Sequence, residues 1–238
     1  MVGRFAYPGS ALLAHASCPD TGESSTLREG GVVRMAAKPP LLRADPEYLK
    51  AFSTIMARIE RALGAKRATL PVTACVAGGA ALHFYTGVRV SKDIDAKLMA
   101  RVLLDPSDLQ VAYRDVDGHA RLLYFDTQYN DSFALLHQNA YDDAVPIALE
   151  GVDARRLAVK LLTPLDLAVS KLSRFSAQDQ SDIRALAHER LIDAAQLRRR
   201  AEEALPDYVG NLDRIKKSID IACRVVKAEA GEKDDPTI

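Results

Sequence analysis

Two aspartates one residue apart, Asp93-Ile94-Asp95, follow the glycine pair Gly78-Gly79 after thirteen intervening residues. On a strand, side chains at i and i+2 point the same way, so the four oxygens of Asp93 and Asp95 could hold a hard divalent cation such as Mg²⁺. A metal held there could bridge a nucleophile and the phosphate it attacks. A glycine pair between a strand and a helix lets a phosphate chain approach bare backbone N–H groups at the helix N-terminus. Ser91 and Lys92 lie just upstream of the acids, within reach of phosphate oxygens. Gly78, Gly79, Ser91 and Lys92 are therefore the candidate nucleotide-binding residues, and Asp93 and Asp95 the candidate catalytic metal ligands. Singly, each pair has a plainer reading, as a turn or as solvated strand acids. Their order, with apolar Ile94 and Ala96 flanking the acids, favours the metal site.

These residues need elements to position them. Val72 to Ala77 is a short apolar run that reads as a strand ending at the glycines, Ala80 to Tyr85 as a short helix, and Val90 to Met99 as extended chain carrying the acids. Upstream, Asp45 and Pro46 open a helix expected to run to Leu63, with Phe52, Ile55, Met56 and Ile59 on its buried face. Downstream, Asp105 to Asp108 is a turn or helix start. Asp117-Gly118 marks a hairpin between Val111–Arg114 and Arg121–Asp126. Further strands are expected near 145–150 and 156–162. From Thr163 the pattern turns helical, with helices after Pro164 and at about 179–189, 193–205 and 207–227. The fold class is α/β, in the α+β sense: a small mixed sheet at 35–162, a helical lobe at 163–227 and a charged tail at 228–238.

The glycine pair and Asp93-Ile94-Asp95 resemble the signature of polymerase-β-like nucleotidyltransferases. A second stretch, Leu162-Thr163-Pro164-Leu165-Asp166-Leu167-Ala168-Val169-Ser170-Lys171-Leu172 followed by Asp179-Gln180-Ser181-Asp182-Ile183, resembles the later segment of abortive-infection-type nucleotidyltransferases, toxin-like proteins of bacterial toxin–antitoxin and phage-defence systems. The likeness spans about Leu70 to Leu186. It implies a polymerase-β-like core in which Gly78 and Gly79 seat an NTP with Ser91 nearby and Asp93 and Asp95 ligate Mg²⁺. Lys171 would neutralise phosphate charge, and Asp182, or else Asp179, would be the acid that follows it. It also implies a third carboxylate, as base or extra ligand, on a neighbouring strand. Asp126 is the candidate, with Glu150 the substitute. The plainer readings stay open: Lys171 as a solvated helix lysine, Asp166, Asp179 and Asp182 as first-turn acids, Asp126 as a strand-ending turn residue.

Composition bounds the rest. With 32 basic and 32 acidic residues the formal net charge is zero, which gives no support to binding nucleic acid by bulk charge. Arg198, Arg199, Arg200, Arg214, Lys216 and Lys217 form either a basic face for RNA or an ordinary solvated helical surface. Three distant cysteines give neither a disulfide framework nor a zinc site. The histidines show no metal spacing, though His83 lies close enough after the glycines to approach a nucleotide. No run reaches the roughly 18 apolar residues of a membrane span, and the expected location is the cytoplasm. Residues 1–34 lack apolar periodicity and read as disordered or non-native. Arg28-Glu29-Gly30-Gly31 could be encoded by a purine-rich stretch resembling a bacterial ribosome-binding site, so Met35 is the expected start.

The reaction expected is transfer of a nucleoside monophosphate from an NTP to tRNA, another RNA or a protein hydroxyl, with a cognate antitoxin as partner. The alternatives are a small-molecule (antibiotic) nucleotidyltransferase and a catalytically idle binding or regulatory protein of the same fold.

Overall fold

A computed structural model of the chain describes residues 42–64, 71–100, 102 and 104–231. The readings of residues 1–34, of Met35 as the start and of the tail beyond Gly231 lie outside the described residues.

Helix α1 (Pro46–Ala62) begins where Asp45 accepts hydrogen bonds from the backbone N–H groups of Glu47 and Tyr48, both at 2.9 Å. Tyr48, Phe52, Ile55, Met56 and Ile59 recur at three-four spacing and are buried. Strand β1 (Val72–Val76) runs straight into α2 (Gly78–Thr86), then come β2 (Asp93–Leu98), the hairpin β3 (Gln110–Arg114) and β4 (Ala120–Asp126), β5 (Val145–Pro146) and β6 (Leu157–Leu161). The strands form one mixed sheet in the order β3-β4-β2-β1-β6-β5. Strand β1 pairs parallel with β6 and antiparallel with β2, and β2 pairs parallel with β4.

This alternation sets two faces. Ile94 and Ala96 of β2, with Leu123 and Phe125 of β4, are buried in the apolar core. The residues between them turn to the opposite face. Helices α3 (Pro164–Ser170), α4 (Ala177–His188), α5 (Ala194–Ala204) and α6 (Leu212–Ala230) complete the chain, α3 and α4 packing against α2. Among the described residues no helix is long and apolar enough to cross a membrane.

The structure is mixed α/β with a helical C-terminal region, as expected from the sequence, but several boundaries move. Helix α2 starts at Gly78, so both glycines belong to its first turn instead of preceding it. The strand expected at 145–150 shortens to Val145–Pro146, with one further bond to β6 from Ile147 N–H to the Val159 carbonyl at 3.0 Å. The helix expected from Asp207 does not start there. Pro206 sits in a 3₁₀ turn, Leu205–Asp207, and α6 begins only after Asn211 caps it. Helix α6 then continues to Ala230, past the Ala228 boundary expected for the tail.

A buried ion pair ties the helices together. Arg200 on α5 donates through Nε to Asp166 Oδ1 at 2.7 Å and through a terminal nitrogen to Asp166 Oδ2 at 3.0 Å, and it also reaches Asp143 at 2.8 Å. Asp166 is the first-turn acid of α3 and accepts from the Thr163 hydroxyl as well. Removing the cation strands a buried carboxylate, so Arg200→Met should lower stability by about 3 kcal/mol in urea unfolding. An unchanged midpoint would show that this pair does not hold α3 and α5.

Candidate active site

The parallel register of β2 and β4 sets Asp95 beside Asp126 and Asp93 beside Tyr124. Asp93, Asp95 and Asp126 therefore stand on one face of two neighbouring strands. All three are half-buried. The Asp95 carboxyl is raised above its ordinary value, first by burial and then by the charges of Asp93 and Asp126, while Lys171 and Arg174 pull the other way. Three acids in one place repel, and hard carboxylate oxygens are the donor set that a divalent cation such as Mg²⁺ takes. Two of the acids are also held by hydrogen bonds. Ser91, itself buried, donates to Asp93 Oδ1 at 2.5 Å, and the backbone N–H of Gln128 donates to Asp126 Oδ1 at 2.8 Å.

Gly78 opens α2 at φ +56°, and a Cβ placed there would lie 1.8 Å from Asp95 Oδ2. The Asp95 carboxylate thus fills the space any side chain would need, and the glycine corner and the acid are in contact. At Gly79 a Cβ would meet Ser91 Oγ at 2.7 Å. Lys92 is exposed and does not line the adjoining cavity; only its backbone carbonyl is engaged, by Tyr124 N–H at 3.0 Å.

Lys171 caps the end of α3 and buries its amine against Asp182 of α4, Nζ to Oδ2 at 2.6 Å, with 6% and 2% of the two side chains exposed. Asp182 also accepts from Arg89 at 3.2 and 3.1 Å and from Gln178 at 2.8 Å. Burial would raise this carboxyl, but the Arg89 hydrogen bond and the Lys171 charge outweigh burial and hold it below the usual range. With its oxygens so engaged, Asp182 serves as the anchor for two cations. Asp179 is different. It closes a capping box with Ser176 and accepts a bidentate fork from Arg174 at 2.8 and 2.7 Å.

A cavity of about 400 Å³ opens beside Asp95, lined in part by Gly78, Asp95, Lys171, Arg174 and Tyr208. Its size is that of a small-molecule site. Arg89, Arg174 and Tyr208 were not singled out from the sequence. Arg89 lies between two exposed valines, Val88 and Val90, and pairs with an acid 93 residues away, so no local spacing announces it. Other candidates fall elsewhere. Glu150 is exposed in the turn before β6 and faces no acid of the row. His83 is buried, accepts from Asp45 N–H through Nε2 at 3.1 Å and packs edge-on against Tyr48, so it serves the core and lies outside the cavity. Two members of the basic cluster are paired with acids: Arg198 with Asp220 and Glu202, and Arg200 in the buried bridge to Asp166. Among the described residues, the group of three ligating side chains within 4.8 Å is Asp115, Asp117 and His119, at the β3–β4 turn. There Asp115 accepts from the backbone N–H groups of Asp117 and His119 and from the Arg121 side chain, which is hairpin chemistry.

Residues 50–227 match the model of a family described as nucleotidyltransferase of unknown function (DUF6036). No curated protein and no solved structure matches the chain. The match covers most of the chain and includes the glycine corner, the acid row and the Lys171–Asp182 pair. The chain belongs to this nucleotidyltransferase family.

Two outcomes test the geometry. Gly78→Ala forces a left-handed alanine against Asp95 and should lower stability by about 2 kcal/mol in urea unfolding; an unchanged midpoint would mean that the acid does not abut the corner. For Asp179, burial pushes the carboxyl up, but hydrogen bonds from Arg174 and Ser176 prevail and set it at about 2, below the ordinary 3.8. A depressed carboxylate stabilises the fold above its unfolded value and ceases to as pH falls through its folded value. Asp179→Asn should therefore be less stable than wild type at neutral pH, with the gap closing between 3.8 and about 2. A pH-independent gap in thermal unfolding would contradict this.

Proposed function

We propose that the chain transfers a nucleoside monophosphate from an NTP to an acceptor hydroxyl, with Mg²⁺ held by Asp93 and Asp95 and with Asp126 as the third carboxylate. The observation that carries this reading is the placement of Asp93, Asp95 and Asp126 on one face, with Asp95 pressed against the Gly78 backbone. Bound by these acids, Mg²⁺ supplies positive charge that screens the triphosphate and favours approach of an attacking oxygen.

The chain's own groups do the rest. Gly78 and Gly79 offer first-turn backbone N–H groups, unobstructed by side chains, to phosphate oxygens. Ser91 fixes the rotamer of Asp93. The acceptor oxygen bonds to the α-phosphorus as the bond to pyrophosphate breaks. The acceptor's proton passes to Asp126 at Oδ2, since Oδ1 is engaged by Gln128 N–H. Lys171, close enough to Asp95 to lower its pKa, offsets the charge that grows on departing pyrophosphate. Asp182 and Arg89 are positioning residues: they hold the Lys171 amine against the cavity.

The likeness of 162–172 and 179–183 to abortive-infection-type enzymes supports a toxin-like role in a bacterial toxin–antitoxin or phage-defence system. Its acceptor would be tRNA, another RNA or a protein hydroxyl in the cytoplasm, and its partner a cognate antitoxin. The cavity carries Lys171 and Arg174 beside its acids, a mixture that does not select for a polycationic antibiotic.

Incubating the full chain with each α-labelled NTP, Mg²⁺, total RNA and lysate should label one acceptor class. Asp93→Ala and Asp95→Ala should each reduce labelling at least about 10³-fold, and Lys171→Ala about 10²-fold. Labelling that persists in the Asp93→Ala, Asp95→Ala double variant would sink the proposal.

A further inference from the structure

The cavity beside Asp95 is also lined by apolar side chains. Of the large apolar side chains exposed among the described residues, Phe133 (72%), Val116 (71%) and Val209 (70%) are the most exposed. Val116 sits at the β3–β4 turn, but Phe133 and Val209 both line this cavity. They come from separate loops: Phe133 from the connection between β4 and β5, Val209 from the break before α6. Apolar groups left in water at the mouth of a cavity that holds a phosphate-type site are placed for a flat, weakly hydrated ligand part.

Neither loop is loose. Around Phe133, Asp131 accepts from Lys97 at 2.7 Å and from the Tyr141 hydroxyl, and Ala134 N–H donates to Asp131 O at 2.9 Å. Asn130 Oδ1 accepts Ser132 N–H at 2.8 Å, so the Asn130 amide nitrogen, a double donor, faces away from that bond. On the opposite loop Tyr208 lies flat against Gly210. A Cβ on Gly210 would come within 2.5 Å of the Tyr208 hydroxyl oxygen and within 2.7 Å of two ring carbons. The missing side chain of Gly210 is thus what lets the Tyr208 ring lie there. Both Tyr208 and Asn130 line the cavity.

We propose that Phe133 and Tyr208 clamp the nucleobase of the NTP between these two loops, and that Asn130 donates to an acceptor atom on the base's edge. The assignment rests on the nucleotidyltransferase reading above and adds to it how the base is held and which residues discriminate among bases. Stacking on an aromatic face tolerates any base, since every base offers a π surface. Discrimination then falls to Asn130, because a base lacking an acceptor at that point leaves the amide donors unpaired.

The test is calorimetric binding of the full chain, with Mg²⁺, to each of the four NTPs and to inorganic triphosphate, which has no base. Wild type should bind its preferred NTP more tightly than inorganic triphosphate. Phe133→Ala and Tyr208→Ala should each weaken NTP binding about tenfold and leave triphosphate binding unchanged. Tyr208→Phe keeps the ring and should bind as wild type, whereas Gly210→Ala should displace the ring and mimic Tyr208→Ala. Asn130→Ala should narrow the differences among the four NTPs. If wild type binds NTP but both ring deletions retain full affinity, or if they weaken triphosphate equally, the clamp is wrong and the transferase reading stands. If wild type binds neither NTP nor triphosphate, the transferase reading fails and takes the clamp with it.

Discussion

The Asp95 carboxylate lies directly against the backbone of Gly78, and the site is organised by that contact. It requires a residue without a side chain at the first position of α2, a left-handed backbone there, and a β2 register that brings Asp95 level with the end of β1. The backbone N–H of Ala77 donates to the carbonyl of Asp95 at 2.8 Å, so main chain and side chain of the same aspartate meet the same corner. Parallel pairing of β2 with β4 then adds Asp126 on the same face. Repulsion among these acids is a cost of the arrangement, tolerated because stored electrostatic strain is what a cation relieves.

Near the acids, the cations are held by two buried carboxylates of α4. Asp182 holds Lys171 from the end of α3 and Arg89 from the segment between α2 and β2. A lysine amine this buried would be unfavourable without a partner, and its hydrogen bond to Asp182 satisfies it and holds it in place. Asp179, one turn earlier in the same helix, caps that helix and fixes Arg174. Two acids three residues apart thus orient two cations whose charges reach Asp95.

Much of the α/β half was legible because its signals are local. Asp45 and Pro46 start α1, Asp117-Gly118 makes the hairpin, and Asp93-Ile94-Asp95 reads as a strand with acids on one side. Asp126 was found through its strand, and the register with Asp95 is what gives it meaning. The less legible parts depend on contacts distant in sequence. Arg89 acquires its place only through Asp182, and Arg200 looked like one of three surface arginines until its partner on α3 was in view. Lys92 is adjacent to Asp93 but, by strand alternation, points away from it. Pro206 separates the two helices expected from the sequence, but Tyr208 and Gly210 fall inside the one expected from Asp207, where Tyr208 reads as an ordinary helical residue.

The Arg89–Asp182 bridge joins residues 93 positions apart. Ribosomal synthesis therefore delivers the acids of β2 and the glycine corner long before their counter-charges. Contacts of such high order form late, after the intervening chain has been made and collapsed. A nascent chain that has emerged only as far as β4 presents carboxylates with neither Lys171 nor its anchor. The charge balance of the site is thereby incomplete until helix α4 has left the ribosome and docked.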